Sequence, residues 1–313
     1  MLVVFAIYET RISEPILPLA VFKNRIVGVA LFMTLLTGFA MFGAIFFVPL
    51  LFQGVLGASP TASGSFLTPM MLGIVAGAAI SGQVLSKTGG HYRIQGMIGL
   101  SIMAIGTFML SQVNGDTTHA YALTSAVIMG FGLGTSFPLY TIAIQNGVPQ
   151  QYLGVATSSA QFFRSVGGAI GLAVFGSYMV RQFKDGMQEN LPDEVFETVP
   201  PKTLELITNN PNALLNAESS NTLREAFAAS GEAGEALGEQ VFGAIRESLA
   251  GSIGDVFFLS FIFVVLGVIA TAFIREVPLG KRGGPSGEPG GGPDGELPGG
   301  AAPESKSAST DSE

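Results

Sequence analysis

A chain of 313 residues with 48% hydrophobic and only 12% charged side chains, at mean hydropathy +0.49, carries about half the charge of an ordinary globular protein and is no soluble domain. Its net charge of −8 sits in two stretches, residues 181–250 with five basic and twelve acidic side chains and 275–313 with four and seven, so no basic surface is offered to nucleic acid. The absence of cysteine excludes disulfides, thiol chemistry and zinc ribbons.

The opening "MLVVFAIYETR" supplies about eight apolar residues, too few to span a bilayer. It also lacks the basic start and cleavage site of a signal peptide. Residues 1–8 read as the remnant of a helix whose beginning is missing, with a short interfacial start as the alternative. Residues 9–25 carry Arg11, Lys23 and Arg25 and read as a cytoplasmic linker. Residues 26–183 hold five apolar segments of spanning length, about 27–56, 61–86, 92–113, 118–145 and 153–180. Turn-forming breaks separate them: "GASP", "KTGGHYR", "NGDTTH" and "NGVPQQ". Runs of this length without period-two alternation are not barrel strands, so the fold class is an all-α polytopic membrane protein.

Residues 184–250 form an acidic extracytoplasmic loop. Within it "AGEALGEQVFGAIRESL" sets Leu237, Val241, Ile245 and Leu249 at helical spacing, which predicts an amphipathic helix leading into the last span, read as a surface helix lying over the membrane protein with ligand binding as the alternative. The last span is expected at 251–275, with its apolar stretch at 253–274. Residues 276–313, rich in Gly, Pro and Ser, are expected to be a disordered cytoplasmic tail. Alternation puts the short loops bearing Lys and Arg inside, giving a multi-pass protein of the cell membrane with a cytoplasmic C-terminus. Arg181 and Lys184 fall outside in this scheme, at the start of a long loop that can translocate regardless of charge.

Few residues inside the spans carry chemistry. In "SAQFFRSVGGAIG", Arg164 lies near mid-span, where a charge costs at least about 2.5–3.5 kcal/mol and normally faces a bundle interior or a watery cavity. Gln161, one turn earlier, and Ser165 are placed to solvate it. Two readings stand: a substrate-binding, charge-coupling or gating group, or a structural arginine bonded to carbonyls of a neighbouring helix. Phe39, Phe42, Phe46 and Gln53 fall on one face of the first span, broken at Pro49. They read as the wall of a cavity for apolar or aromatic solutes, or as lipid-facing side chains. "GFGLGTSFPLY" combines Gly130, Gly132 and Gly134 with Pro138 and the polar handles Thr135, Ser136 and Tyr140. Gly73/Gly77 and Gly167/Gly171 are further close-packing faces. His91 and His119 sit in loops on opposite sides of the membrane and cannot share a metal. No GxSxG, HExxH or P-loop pattern appears, so neither an enzyme nor a cofactor is implied.

"GQVLSKTGGHYR", Gly82 to Arg93, resembles the GxLaDrxGrr signature of cytoplasmic loops in the major facilitator superfamily. Gly82 and Gly89 match its glycines and Lys87 its basic residue, Leu85 is one place late, and Ser86 stands where the aspartate belongs. "EPILPLAVFKNR" resembles the linker before the ninth helix of fourteen-helix drug:proton antiporters, "QFFRSVGGAIGLAVFG" their thirteenth helix and "REVPLG" their exit into the tail. The long loop before the last helix fits the same group. The resemblance, over about 10–280, implies the C-terminal six-helix half of such a multidrug exporter. Its partners would be the bilayer, a small lipophilic or cationic substrate, protons and the missing N-terminal half. It implies a cavity lined by the first, second, fourth and fifth helices of each half, bordered here by Arg164, the fourth span and the Phe39–Phe46 face. The proton-coupling carboxylate would belong to the other half, since no Asp or Glu lies within the core of a span and Asp255 is at an edge. The competing reading is a half-length membrane interaction or assembly module with no transport of its own. A pore would show symmetry and a polar-lined span, and neither is found.

Overall fold

The computed structural model describes residues 25–191 and 231–273, together with Val195, Glu225 and Phe227. The expected helix remnant, nearly all of the linker, most of the acidic loop and the tail, including the separate unit 280–313, lie outside the described residues. Six long helices follow in order: α1 (Arg25–Leu50), continued by a π-helical turn at Leu51–Val55; α2 (Pro60–Thr88); α3 (Tyr92–Ser111); α4 (His119–Asn146); α5 (Leu153–Asn190), entered through a 3-10 turn at Gln150–Tyr152; and α6 (Gly231–Ala272). Each contains a stretch long and apolar enough to cross a membrane. The fold is all-α, as the hydropathy pattern requires.

Local chemistry fixes the helix limits. Ser59 caps α2 by accepting from the Ala62 amide at 3.2 Å, with Pro60 at the first helical position where its missing N–H costs nothing. Thr118 caps α4 through the Tyr121 amide. Gly89, at φ 70°, ends α2 in the left-handed conformation that glycine adopts without strain, and Gly90 at φ 103° completes the turn into α3. Pro49 removes one rung of the α1 ladder, and the helix widens into its π turn directly afterwards.

Two helices run further than their hydropathy suggests. α5 continues to Asn190 because Phe175, Met179, Phe183 and Met187, four residues apart, are all buried along one stripe of it. α6 starts at Gly231, and the amphipathic stretch expected to lead into the last span is continuous with it in one helix. Its Val241, Ile245 and Leu249 are buried. Gln182 donates to Asp255 at 2.8 Å and Asn190 to Ser248 at 3.2 Å, tying the two extensions together. Arg246, on the same extension, donates to the carbonyls of Val55 (2.5 Å) and Gly115 (3.1 Å), pinning the end of α1 and the α3–α4 loop. Phe52, Phe66 and His119 stack beside them, the two phenylalanines 4.5 Å apart.

Packing runs through three tight pairs, α2–α4, α3–α4 and α1–α5, with α6 laid across α3 and α5. Apolar side chains gain nothing by leaving lipid for protein, so association depends on how closely backbones approach. Glycines supply that approach. On α2 and α4 they interlock reciprocally: a Cβ at Gly73 would lie 2.9 Å from the Val127 carbonyl oxygen, and one at Gly130 2.7 Å from that of Met70. At Gly77 and Gly134 a Cβ would overlap the Phe131 and Ile74 carbonyls outright. Gly132 faces the backbone of Met103 and Gly99 on α3. Gly167 meets the Leu35 carbonyl of α1, and Gly171 would bring a Cβ to 2.9 Å from the Phe39 Cα. Gly38 and Gly106 do the same against the Arg164 and Met129 backbones, while Gly99 and Gly168 make room for the Thr135 and Phe42 side chains, and none of these carries a motif by which to find it. α1 and α4 form the centre, with 56% and 61% of their membrane windows buried, while α2 and α5 bury only 22% and 28% and expose long sides.

Candidate functional site

Arg164 lies eleven residues into α5, about 17 Å along its axis, in a helix long and apolar enough to cross a membrane. Its backbone is held because its carbonyl abuts Gly38 of α1, where any side chain would collide. The half-buried side chain turns toward α4. Its Nη1 donates to Gln161 Oε1 at 3.0 Å, and its Cζ stands 4.7 Å above the Phe137 ring. The Nε is buried with no hydrogen-bond partner, and no carbonyl of a neighbouring helix accepts from the guanidinium among the described residues. A cation–π contact returns about 0.5–2 kcal/mol, too little to replace five hydrated donors. What remains is a charged, incompletely bonded fork within a membrane-length helix, suited to an oxygen acceptor or an anion.

Its surroundings are a polar seam between antiparallel α4 and α5. Gln145 donates to Thr157 Oγ1 at 2.9 Å, and Thr141 bonds back to the Phe137 carbonyl at 2.8 Å. Phe137, Thr141 and Gln145 recur every four residues on α4, opposite Thr157, Gln161 and Arg164 on α5. That pairing is a sequence signal, but only once the two helices are known to run side by side. Beyond Arg164, Phe42 covers Gly168 and stacks with the half-exposed Phe46 at 6.4 Å.

The structure therefore groups Arg164 with Gln161, and places Phe42 and Phe46 one and two turns along from them. Phe39 shares their stripe of α1, but there Phe175 of α5 and Phe263 of α6, each 5.1 Å away, cover the helix. Gln53 sits half-buried in the π turn at the far end. Thr135, Ser136 and Tyr140 lie on other faces of α4. Thr135 packs on Gly99 of α3 and bonds the Gly132 carbonyl at 2.7 Å, and Ser136 bonds the same carbonyl at 3.5 Å. Tyr140 is fully buried and shares a 2.9 Å hydrogen bond with Thr271 of α6, a structural tie between helices. Gly82, Ser86, Lys87, Gly89 and Arg93 mark the α2–α3 end, where Ser86 donates only to the Gln83 carbonyl of its own helix at 2.8 Å. Among the described residues no group of three His, Cys, Asp or Glu could hold a metal ion.

Residues 8–172 match the family model described as Major Facilitator Superfamily. The multidrug transporter protein MdtP of Bacillus subtilis is 31% identical over 288 residues, which is 90% of this chain and 52% of that protein. Multidrug resistance protein 3 of B. subtilis is 32% identical over 60% of this chain and 36% of its own length. The tetracenomycin C resistance and export protein of Streptomyces glaucescens is 28% identical over 77% and 46%. The chain thus spans about half or less of the length of these relatives.

Proposed function

Because the chain belongs to the Major Facilitator Superfamily, and so is a membrane transporter rather than an enzyme, we propose that it acts as the C-terminal half of a proton-coupled multidrug exporter. It works by alternating access in the cell membrane, with its C-terminus in the cytoplasm. Export acts on small lipophilic or cationic compounds, and the relatives named for multidrug and tetracenomycin transport support that class. A second six-helix unit, the N-terminal half, completes the cavity against the exposed sides of α2 and α5 and supplies the proton-carrying acid. The apolar cores of the spans hold no such acid: Asp255, at the start of the apolar stretch 253–274 of α6, is engaged with Gln182.

The observation that carries this reading is the guanidinium of Arg164, held within a membrane-length helix on Phe137 and Gln161 with donors to spare. Its charge serves coupling rather than attraction of a cationic substrate: the open donors take a carboxylate of the other half and bias it toward release of its proton. Ethidium extrusion from energised cells carrying the gene in its native context tests the reading. Extrusion should stop when an uncoupler collapses the proton gradient, and extrusion that persists without the gradient contradicts the coupling.

A further inference from the structure

Although α2 and α3 follow one another in the chain, they barely touch; both pack on α4 instead. Between them opens a groove of about 420 Å³. Ile80 and Val84 of α2 and Ile94, Ile98 and Ile102 of α3 form its sides, with Phe131 and Thr135 of α4 at its floor. Its inner wall is fixed by a chain of hydrogen bonds across three helices. Gln95 donates to the Ser81 carbonyl (2.6 Å) and hydroxyl (2.7 Å), and Ser81 donates to the Thr135 carbonyl at 2.8 Å. The groove is thus a preformed feature of the packing.

We propose that this groove is the binding site of one anionic phospholipid, with an acyl chain along the groove and the phosphate held at Lys87. Three observations select that occupant. First, the groove runs from His91 to Ile102 on α3, eleven residues or about 17 Å, close to half of a hydrocarbon core about 30 Å thick. That is the depth of one leaflet. Second, its lips are apolar and open outward: Ile80, Ile94 and Ile98 are each at least half exposed. A preformed apolar channel of this volume takes a flexible hydrocarbon chain. Third, the end of the groove at the α2–α3 turn is polar and positive. Thr88 and His91 line it, and exposed Lys87 shares the face of α2 that carries Ile80 and Val84, whereas Arg93 lies on the opposite side of α3. His91 Nδ1 donates to the Thr88 carbonyl at 2.7 Å, which fixes the ring at this mouth. Residues 26–115 contain no Asp or Glu, so nothing nearby on α1, α2 or α3 neutralises Lys87. Basic residues at the membrane surface are each worth about fivefold in affinity for an anionic headgroup.

The test uses the 313-residue chain purified in mild detergent, incubated with equal amounts of phosphatidylglycerol and phosphatidylcholine of matched acyl chains, and read by native mass spectrometry. Phosphatidylglycerol should be retained preferentially. Lys87→Gln should lower its ratio to phosphatidylcholine about fivefold, while Arg93→Gln, on the opposite side of α3, should leave the ratio unchanged. Both side chains are exposed, so these variants leave the fold intact. Ile98→Trp, which fills the groove, should reduce retention of both lipids. Equal retention of the two lipids by the native chain, an undiminished preference in Lys87→Gln, or displacement of bound lipid by ethidium would overturn the assignment. No transport is measured, so failure here leaves the exporter reading standing.

Discussion

A methyl group added at Gly134 should loosen the α2–α4 pair, the most extensive helix contact in the bundle. An alanine Cβ there would overlap the Ile74 carbonyl, and neither partner is a flexible side-chain end that can swing aside. The two helices must separate, and the same movement opens the neighbouring contacts at Gly73, Gly77 and Gly130. Overpacking of this kind costs about 1–3 kcal/mol, a factor of roughly 5–150 in the folding equilibrium. Gly243→Ala supplies the control, because nothing lies within 4 Å of a Cβ at that position in α6. Helix propensity alone should make that variant neutral or up to about 1 kcal/mol more stable. Thermal unfolding of the detergent-purified chain, followed by loss of the monodisperse peak, compares the two. If Gly134→Ala melts at or above the Gly243→Ala temperature, the interlock is not what holds α2 to α4.

Tyr140→Phe should cost about 1 kcal/mol through loss of the Thr271 hydrogen bond, and a double-mutant cycle with Thr271→Val should recover most of it as coupling. Arg246→Ala should raise amide exchange in the π turn and the 114–118 loop with little effect on α2, at a cost of roughly 1 kcal/mol given the exposure of the side chain. The chain has no native cysteine, so a cysteine at Ser286 reports topology directly: an impermeant reagent should label it only after the cytoplasmic side is opened.

Long apolar runs leave a chain no alternative to crossing the bilayer, so the six spans and the all-helical class are legible from hydropathy. Paired glycines were legible for a related reason: at Gly73/Gly77 or Gly167/Gly171 only the lack of a side chain has value, and every one of them meets a neighbouring backbone. The helix limits were obscured where polar residues ride on a buried stripe. Arg181–Asn190 reads as loop, yet Phe183 and Met187 carry the helix on against α6. Which side of α4 faces Arg164 was also hidden. Of the polar residues of α4, Thr135 packs on α3, Tyr140 bonds Thr271 of α6 and Ser136 bonds its own helix, while apolar Phe137 meets the guanidinium. A face becomes a site through what stands opposite it, and one helix's sequence does not contain that.

Transport by Arg164 variants tests the central claim most directly. Ethidium extrusion should be measured in energised cells expressing the gene in its native context with Arg164→Ala and Arg164→Lys, each normalised to its level in the membrane. Both variants should reach the membrane, since removing a mid-span guanidinium eases insertion. Arg164→Ala should abolish extrusion, and Arg164→Lys should retain part of it if charge rather than the planar fork is what counts. Normal extrusion by Arg164→Ala at normal membrane levels would contradict the account, leaving Arg164 as a side chain that the seam tolerates and export does not use.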